Sequence, residues 1–353
     1  MNSGNILRYF LGGNTADGFY SLYDGFVSLD DGDFLWIVKG GAGCGKSTFM
    51  KKIGAAAEKA GLDTEYVLCS GDPESLDGVY IPALKVAYMD GTAPHVADAR
   101  IAAVDSAYLD LGAFYDREAI AEHKTELQQM VSENKNCYKK AYSLLSAAGS
   151  LRRGWLKSLS DDKALLGALG RAESIAAREF GKKSKHRGSA KRQFLSANTY
   201  KGLITPEDSA LSLCSRLYML ENRCLLGSAA VERLTERALD AGHDVIICPD
   251  PLTPELTQAL IVPDLKLGFL CTTKRERLAK AARNIRLDNL LSGEVRGELR
   301  ACEKLCDTLR SEAYAALLDA KRIHDELEKV YNPNVDFDGV YSLASRHIAL
   351  LGL

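Results

Sequence analysis

Apolar positions along the chain fall into two recurring patterns. Short runs bounded by turn residues, such as Phe34 to Val38 (FLWIV), Thr64 to Cys69 (TEYVLC) and Lys85 to Met89 (KVAYM), predict buried strands. Segments with apolar residues at helical spacing predict helices, the first beginning after Lys46. Two longer amphipathic stretches, 118–148 and 293–331, predict extended helical arms, the second stopped by Asn332-Pro333.

These patterns occur twice. With an offset of 181, residues 40–91 lie on 221–272 without a gap, and ten of the 52 pairs are identical. About three identities are expected from average composition. The matches include Ala60-Gly61 with Ala241-Gly242, Asp63 with Asp244, Pro73-Glu74 with Pro254-Glu255 and Leu84-Lys85 with Leu265-Lys266. Upstream, RYFLGGNTADG (8–18) lies on RQFLSANTYKG (192–202), with six of eleven pairs identical. An internal duplication follows. The expected fold class is α/β, with duplicated P-loop NTPase-like units on parallel sheets, each followed by a helical arm. The divisions expected are 1–104, a first unit; 105–190, an arm and basic linker; 191–273, a degenerate second unit; and 274–353, a C-terminal arm.

The chemistry lies in the first copy. Between its first long strand and helix runs Gly40-Gly41-Ala42-Gly43-Cys44-Gly45-Lys46-Ser47-Thr48, the pattern of a phosphate-binding loop in its strand-loop-helix setting. The glycines let backbone N–H groups turn inward to phosphate oxygens, and the helix N-terminus adds its dipole. Lys46 is placed to reach the β- and γ-phosphates of ATP, and the Ser47 hydroxyl to ligate Mg²⁺. Asp90, ending the strand at 85–90, is the expected second magnesium residue. Gly91 follows it where many such proteins carry a catalytic glutamate, so Asp72 and Asp77 of SGDPESLDG are the candidates to position water. Glu74 and His95 lie nearby in sequence, and turn chemistry explains each of these as readily. Arg275, Arg277 and Arg283 are arginine-finger candidates by position alone.

In the second copy, YMLENRCLLGSAAVERL (218–234) keeps the strand and helix but lacks the glycines and lysine. The gapless alignment sets Gly40, Gly45 and Lys46 against Glu221, Leu226 and Gly227, and Asp72, Asp77 and Asp90 against Thr253, Gln258 and Cys271. Glu221 would repel a phosphate there. Asp63 and Lys85 survive in both copies and are therefore expected to be structural; Ser228, matching Ser47, suits a helix N-cap equally well.

KGGAGCGKSTFMKKI, SGDPESLDGVYIPALKVAYMDGTAPH and the repeated layout resemble a family of bacterial tandem P-loop proteins, mostly uncharacterised ATPases or ATP-binding proteins. The resemblance covers nearly the whole chain and implies ATP as the nucleotide. Its second half often carries an intact P-loop, from which this chain departs at Leu226 and Gly227.

Composition changes little in this picture. At 353 residues with a formal net charge of -2, the chain has no global signature of a nucleic-acid or acidic-membrane partner. The nine cysteines lack CxxC pairs and suit a reducing cytoplasm. No signal peptide or membrane-spanning run is expected. A basic cluster at 178–192 (REFGKKSKHRGSAKR) is favoured as a solvated linker over a nucleic-acid footprint, because one aromatic, Phe180, gives no stacking platform. The expected function is a Mg²⁺-dependent, slow ATPase whose nucleotide state moves a helical arm or a protein partner. The alternatives are a small-molecule kinase and a non-enzymatic nucleotide sensor.

Overall fold

The computed structural model describes residues 4–158, 162–222, 224–272 and 282–353. The first copy begins with β1 (Ile6–Tyr9) and a hairpin of β2 (Gly12–Thr15) and β3 (Gly18–Ser21). Then come β4 (Phe34–Lys39), α1 (Lys46–Lys59), β5 (Thr64–Leu68), β6 (Leu76–Ile81), β7 (Val86–Asp90) and β8 (Ser106–Asp110). Its sheet has the order β1-β5-β6-β7-β4-β8. Helices α2 (Arg117–Glu122), α3 (Lys124–Ser158) and α4 (Asp162–Glu179) lead to the second copy. There β9 (Ala190–Arg192), the hairpin β10 (Ala197–Thr199) and β11 (Gly202–Ile204), β12 (Arg216–Glu221) and α5 (Leu226–Asp240) repeat the layout. Strands β13 (Val245–Pro249), β14 (Thr257–Val262), β15 (Leu267–Thr272) and β16 (Ala282–Ile285) complete a sheet of order β9-β13-β14-β15-β12-β16, the same arrangement again. Helices α6 (Gly293–Tyr331) and α7 (Phe337–Leu350) end the chain.

The sheets are mixed, which corrects the expectation of parallel ones. β6 runs antiparallel to β5 and β7, and β14 to β13 and β15. The connection 69–75 is too short for the dozen or so residues that a parallel crossover needs. The return from β6 to β7 is a tight turn through Lys85, whose φ of 52° recurs at Lys266 (49°). Each sheet also takes its outer strand, β8 or β16, from just past residues 104 and 273, where the arms were expected to begin.

Phe49, Met50, Ile53 and Ala57 give α1 one apolar face against the first sheet; Ala230, Val231, Leu234 and Ala238 do the same for α5. The outer helix on each layer comes from the opposite half of the chain order. α7 packs on α1, adding Val340 and Ala344 to the first unit's core, while α4 packs on α5. The chain end therefore returns to the first unit.

The two units meet about an approximate dyad. Phe10 and Phe194 exchange backbone hydrogen bonds (3.2 and 2.8 Å). Asn14 Nδ2 donates to Asn198 O and Asn198 Nδ2 to Asn14 O, both at 2.9 Å. Each amide also donates to the loop after β5 or β13 of its own unit, Ser70 O or Pro251 O. Their Oδ1 atoms accept from Tyr142 on α3 (3.0 Å) and Tyr314 on α6 (2.8 Å). The arms themselves pair antiparallel, with Asn134 meeting Ala320 O and Cys306 meeting Ala148 O. Where the duplication placed two acids together, Asp17 and Glu255, Arg153 of α3 stands between them.

Asn14→Ala would strand two carbonyls and a tyrosine hydroxyl at the buried centre of this interface. The expected loss is about 2–4 kcal/mol, read from the urea midpoint. A loss below about 1 kcal/mol would show that the interface does not depend on this amide.

Candidate functional site

β4 ends at Lys39 and α1 begins at Lys46, so Gly40 to Gly45 must turn the chain within one loop. Gly40, Gly43 and Gly45 take φ of 150°, 68° and 86°, which only glycine adopts without strain. Lys46 Nζ donates to Gly40 O and Gly41 O (2.8 Å each) and lies 3.6 Å from Asp90 Oδ2. That carboxylate reaches the loop because β7 lies parallel beside β4, with Asp90 opposite Val38. Asp90 Oδ1 is held by Thr92 N (2.8 Å) and Thr92 Oγ1 (2.6 Å), which fixes the rotamer facing Lys46. Ser47 Oγ accepts from Leu76 N (3.0 Å), Ala42 O accepts from Tyr115 (2.7 Å), and Thr48 is exposed on α1. Burial pushes the Cys44 thiol up, so this side chain remains a neutral filler.

The two acids expected to position water have other partners. Asp72 shapes its own turn, accepting from Glu74 N and Ser75 Oγ, with Lys321 of α6 3.5 Å away. Asp77 is buried on β6, accepting from Tyr23 (2.8 Å), with His95 Nε2 at 3.3 Å. The His95 ring packs at a tilt against Phe19 and Tyr23, with centroids 5.1 and 4.6 Å away. Burial raises the Asp77 carboxyl despite the neighbouring His95. Arg283 donates to Tyr218 in the second sheet, while Arg275 and Arg277 lie outside the described residues.

Two residues at the loop were not singled out from sequence, Tyr115 and Asn332, and neither was Lys321, which meets Asp72 in the turn after β5. With its amide nitrogen turned to the loop, Asn332 donates to Gly43 O (3.0 Å) and Glu328 O (3.2 Å). Phe337 and Val340 of α7 stand within van der Waals reach of a Cβ at Gly45. The end of α6 and the start of α7 thus cover the loop of the first unit. Asn332 was visible only as a helix stop, because its loop contact spans nearly the whole chain.

The second unit departs from this geometry in a way the gapless alignment hid. Leu220 pairs with Cys271 as Val38 pairs with Asp90, so Glu221 corresponds to Lys39 and the second loop is one residue shorter. Glu221 is therefore a strand residue, accepting from Asp288 N (3.2 Å), and the earlier pairing with Gly40 is corrected. Asn222 follows it. Its Oδ1 accepts from Ser228 N (2.8 Å) and its Nδ2 donates to Ser228 Oγ (3.0 Å). A side-chain amide thus satisfies a donor at the helix N-terminus where a phosphate would need one. Burial pushes the Cys271 thiol, at Asp90's position, up to about 12, so it offers no charge to a cation. Asp63 and Asp244 play one structural part, accepting from Asn5 N and Ser189 N.

Comparison with protein-family models, curated proteins and solved structures gives no match. In the basic segment Lys183, Arg187 and Lys191 all pair with carboxylates of the chain itself, Asp240, Glu236 and Glu65 among them, which reduces the charge left for a polyanion. Among the described residues no helix is long and apolar enough to cross a membrane.

A carboxyl raised on folding lends stability below its unfolded value, here 3.8, and loses it as pH climbs through the folded one. Asp77→Asn keeps an acceptor for Tyr23 without the buried charge. Its Tm relative to wild type is expected to rise as pH climbs above that unfolded value. A constant or falling difference would contradict the raised carboxyl.

Proposed function

We propose that the first unit binds Mg-ATP on residues 40–48 and passes its nucleotide state to the α6–α7 corner, hydrolysing ATP slowly. The observation that carries this reading is the glycine loop with Lys46 and Asp90 at its mouth, overlain by Asn332. Lys46 and the loop amides would stabilise charge on the γ-phosphoryl group. Ser47 and Asp90 supply oxygen donors suited to Mg²⁺, which binds few protein ligands and would neutralise phosphate charge. In this state two of the three Lys46 ammonium donors go to Gly40 O and Gly41 O, and on this reading the ammonium turns from those carbonyls to phosphate. Gly40 O and Gly41 O lie one to three residues from Ala42 and Gly43, which Tyr115 and Asn332 hold. A rearranged loop therefore pulls on the covering corner. On this reading the protein acts in the cytoplasm as a tandem P-loop ATPase with one working site.

One observation favours the sensor over the hydrolase. Asp72 and Asp77 are both engaged by protein partners, so neither stands ready to position water.

Hydrogen exchange and phosphate release on the same samples test both readings. Mg-ATP is expected to protect 40–48 and to alter exchange at 328–340, with turnover below about 1 s⁻¹. Exchange changes confined to the loop would refute the coupling. Coupling without phosphate release would select the sensor.

A further inference from the structure

The second unit contains a cavity of about 910 Å³ between its hairpin, the carboxyl edge of its sheet, and the arms α3 and α6. In the first unit aromatic side chains fill the corresponding space. Phe19 lies on the hairpin so close that a Cβ at Gly12 would meet its ring at 2.5 Å, and Tyr23 and His95 pack beside it. The second hairpin carries Leu203 at the Phe19 position, and 205–213 has no aromatic residue. Gln258 stands where the first unit has Asp77, and Cys271 where it has Asp90. The described residues of the second unit thus lack both the phosphate chemistry and the hairpin's aromatic filling.

The wall has a definite chemistry. Leu195, Leu217, Leu270 and Trp155 supply apolar surface. Gln258 Nε2 donates to Ser196 Oγ (2.9 Å), while its Oε1 is buried without a hydrogen-bond partner; Arg310 Nε is a buried donor in the same condition. Such groups cost free energy unless something satisfies them. Among the described residues, the carboxylates Glu207, Asp250 and Asp307 face the space with the guanidiniums Arg152 and Arg310. Both guanidiniums are already paired, Arg152 with Asp250 at 2.8 Å and Arg310 with Asp307. Burial alone would raise Asp250, but Arg152 and the amides of Thr253 and Leu252 hold it below the usual carboxylate range, so its charge stays in place. This balance opposes a phosphate or another anion. The size suits one small molecule, since ligand pockets run from about 300 to 1,000 Å³.

We propose that this cavity binds a neutral or singly cationic amphipathic small molecule, an amine or amide with an apolar body, whose donor meets Gln258 Oε1. The site stands whether or not the first unit hydrolyses ATP. Because α3 and α6 both line it, its occupant touches both arms, of which α6 reaches the nucleotide loop through Asn332.

N-phenyl-1-naphthylamine is the probe for this site, with 1-anilinonaphthalene-8-sulfonate, the same ring system bearing a sulfonate, as the anionic counterpart. Trp155 is the sole tryptophan once Trp36→Phe removes the other, so energy transfer to the dye reports occupancy of this cavity. The full chain is expected to take up one neutral dye with transfer from Trp155, in the presence of Mg-ATP as in its absence. The sulfonate is expected to bind at least about tenfold more weakly. Leu203→Phe with Glu207→Tyr, which transplants the first unit's filling, is expected to weaken the neutral dye about tenfold. Absence of saturable binding, absence of transfer from Trp155, or sulfonate binding as tight as the amine would each overturn the proposal. A folded transplant that binds undiminished would do so too. Should the transplant fail to fold, the dye pair and Trp155 transfer in the otherwise native chain still decide.

Discussion

Two buried carboxamides, Asn14 and Asn198, each donate to the other's backbone carbonyl across the middle of the chain. Neither copy can shift without breaking a donor and an acceptor that water does not reach, a cost comparable to a sizeable part of a domain's stability. Their remaining acceptors hold Tyr142 and Tyr314, and so fix α3 and α6 on either side of the dyad. From that placement the arms' contacts follow. α3 brings Arg152 to Asp250 in the second unit, and α6 brings Lys321 to Asp72 and Asn332 to Gly43 in the first.

On this symmetric frame the two sites have diverged in opposite directions. The first retains glycines that permit positive φ, a lysine and a carboxylate at the strand end, and packs Phe19, Tyr23 and His95 behind them. The second has shortened its loop, set Asn222 against the helix N-terminus and replaced the carboxylate by a neutral thiol. Its hairpin no longer fills the space under the arms. Duplication preserved what the scaffold requires, such as the Asp63 and Asp244 anchors and the turns at Lys85 and Lys266, because both copies must still close the same sheet.

Much of this frame was legible in the sequence, for identifiable reasons. The repeat and the loop rest on residue identities at fixed spacing, and the long helices on apolar periodicity ending at a proline. β6 escaped notice because an antiparallel strand after a short turn carries no helical crossover to announce it. The deleted loop residue was concealed because a gapless alignment still matched everything beyond it, which put Glu221 in the loop rather than in β12. Asp77 stayed open to a water-positioning role because Tyr23 and His95, which bury it, lie on other elements. Periodicity shows that an arm has an apolar face, not which unit that face meets. The return of α7 to α1 and the cover of Asn332 on the loop were therefore out of its reach.

The central claim is one working nucleotide site and one retired copy on a common scaffold. Calorimetric titration with Mg-ATP, on wild type and Lys46→Ala, tests it most directly. One ATP per wild-type chain and none in the variant is the predicted result. Two ATP per chain, or binding that survives Lys46→Ala, would place nucleotide on the second unit and contradict it.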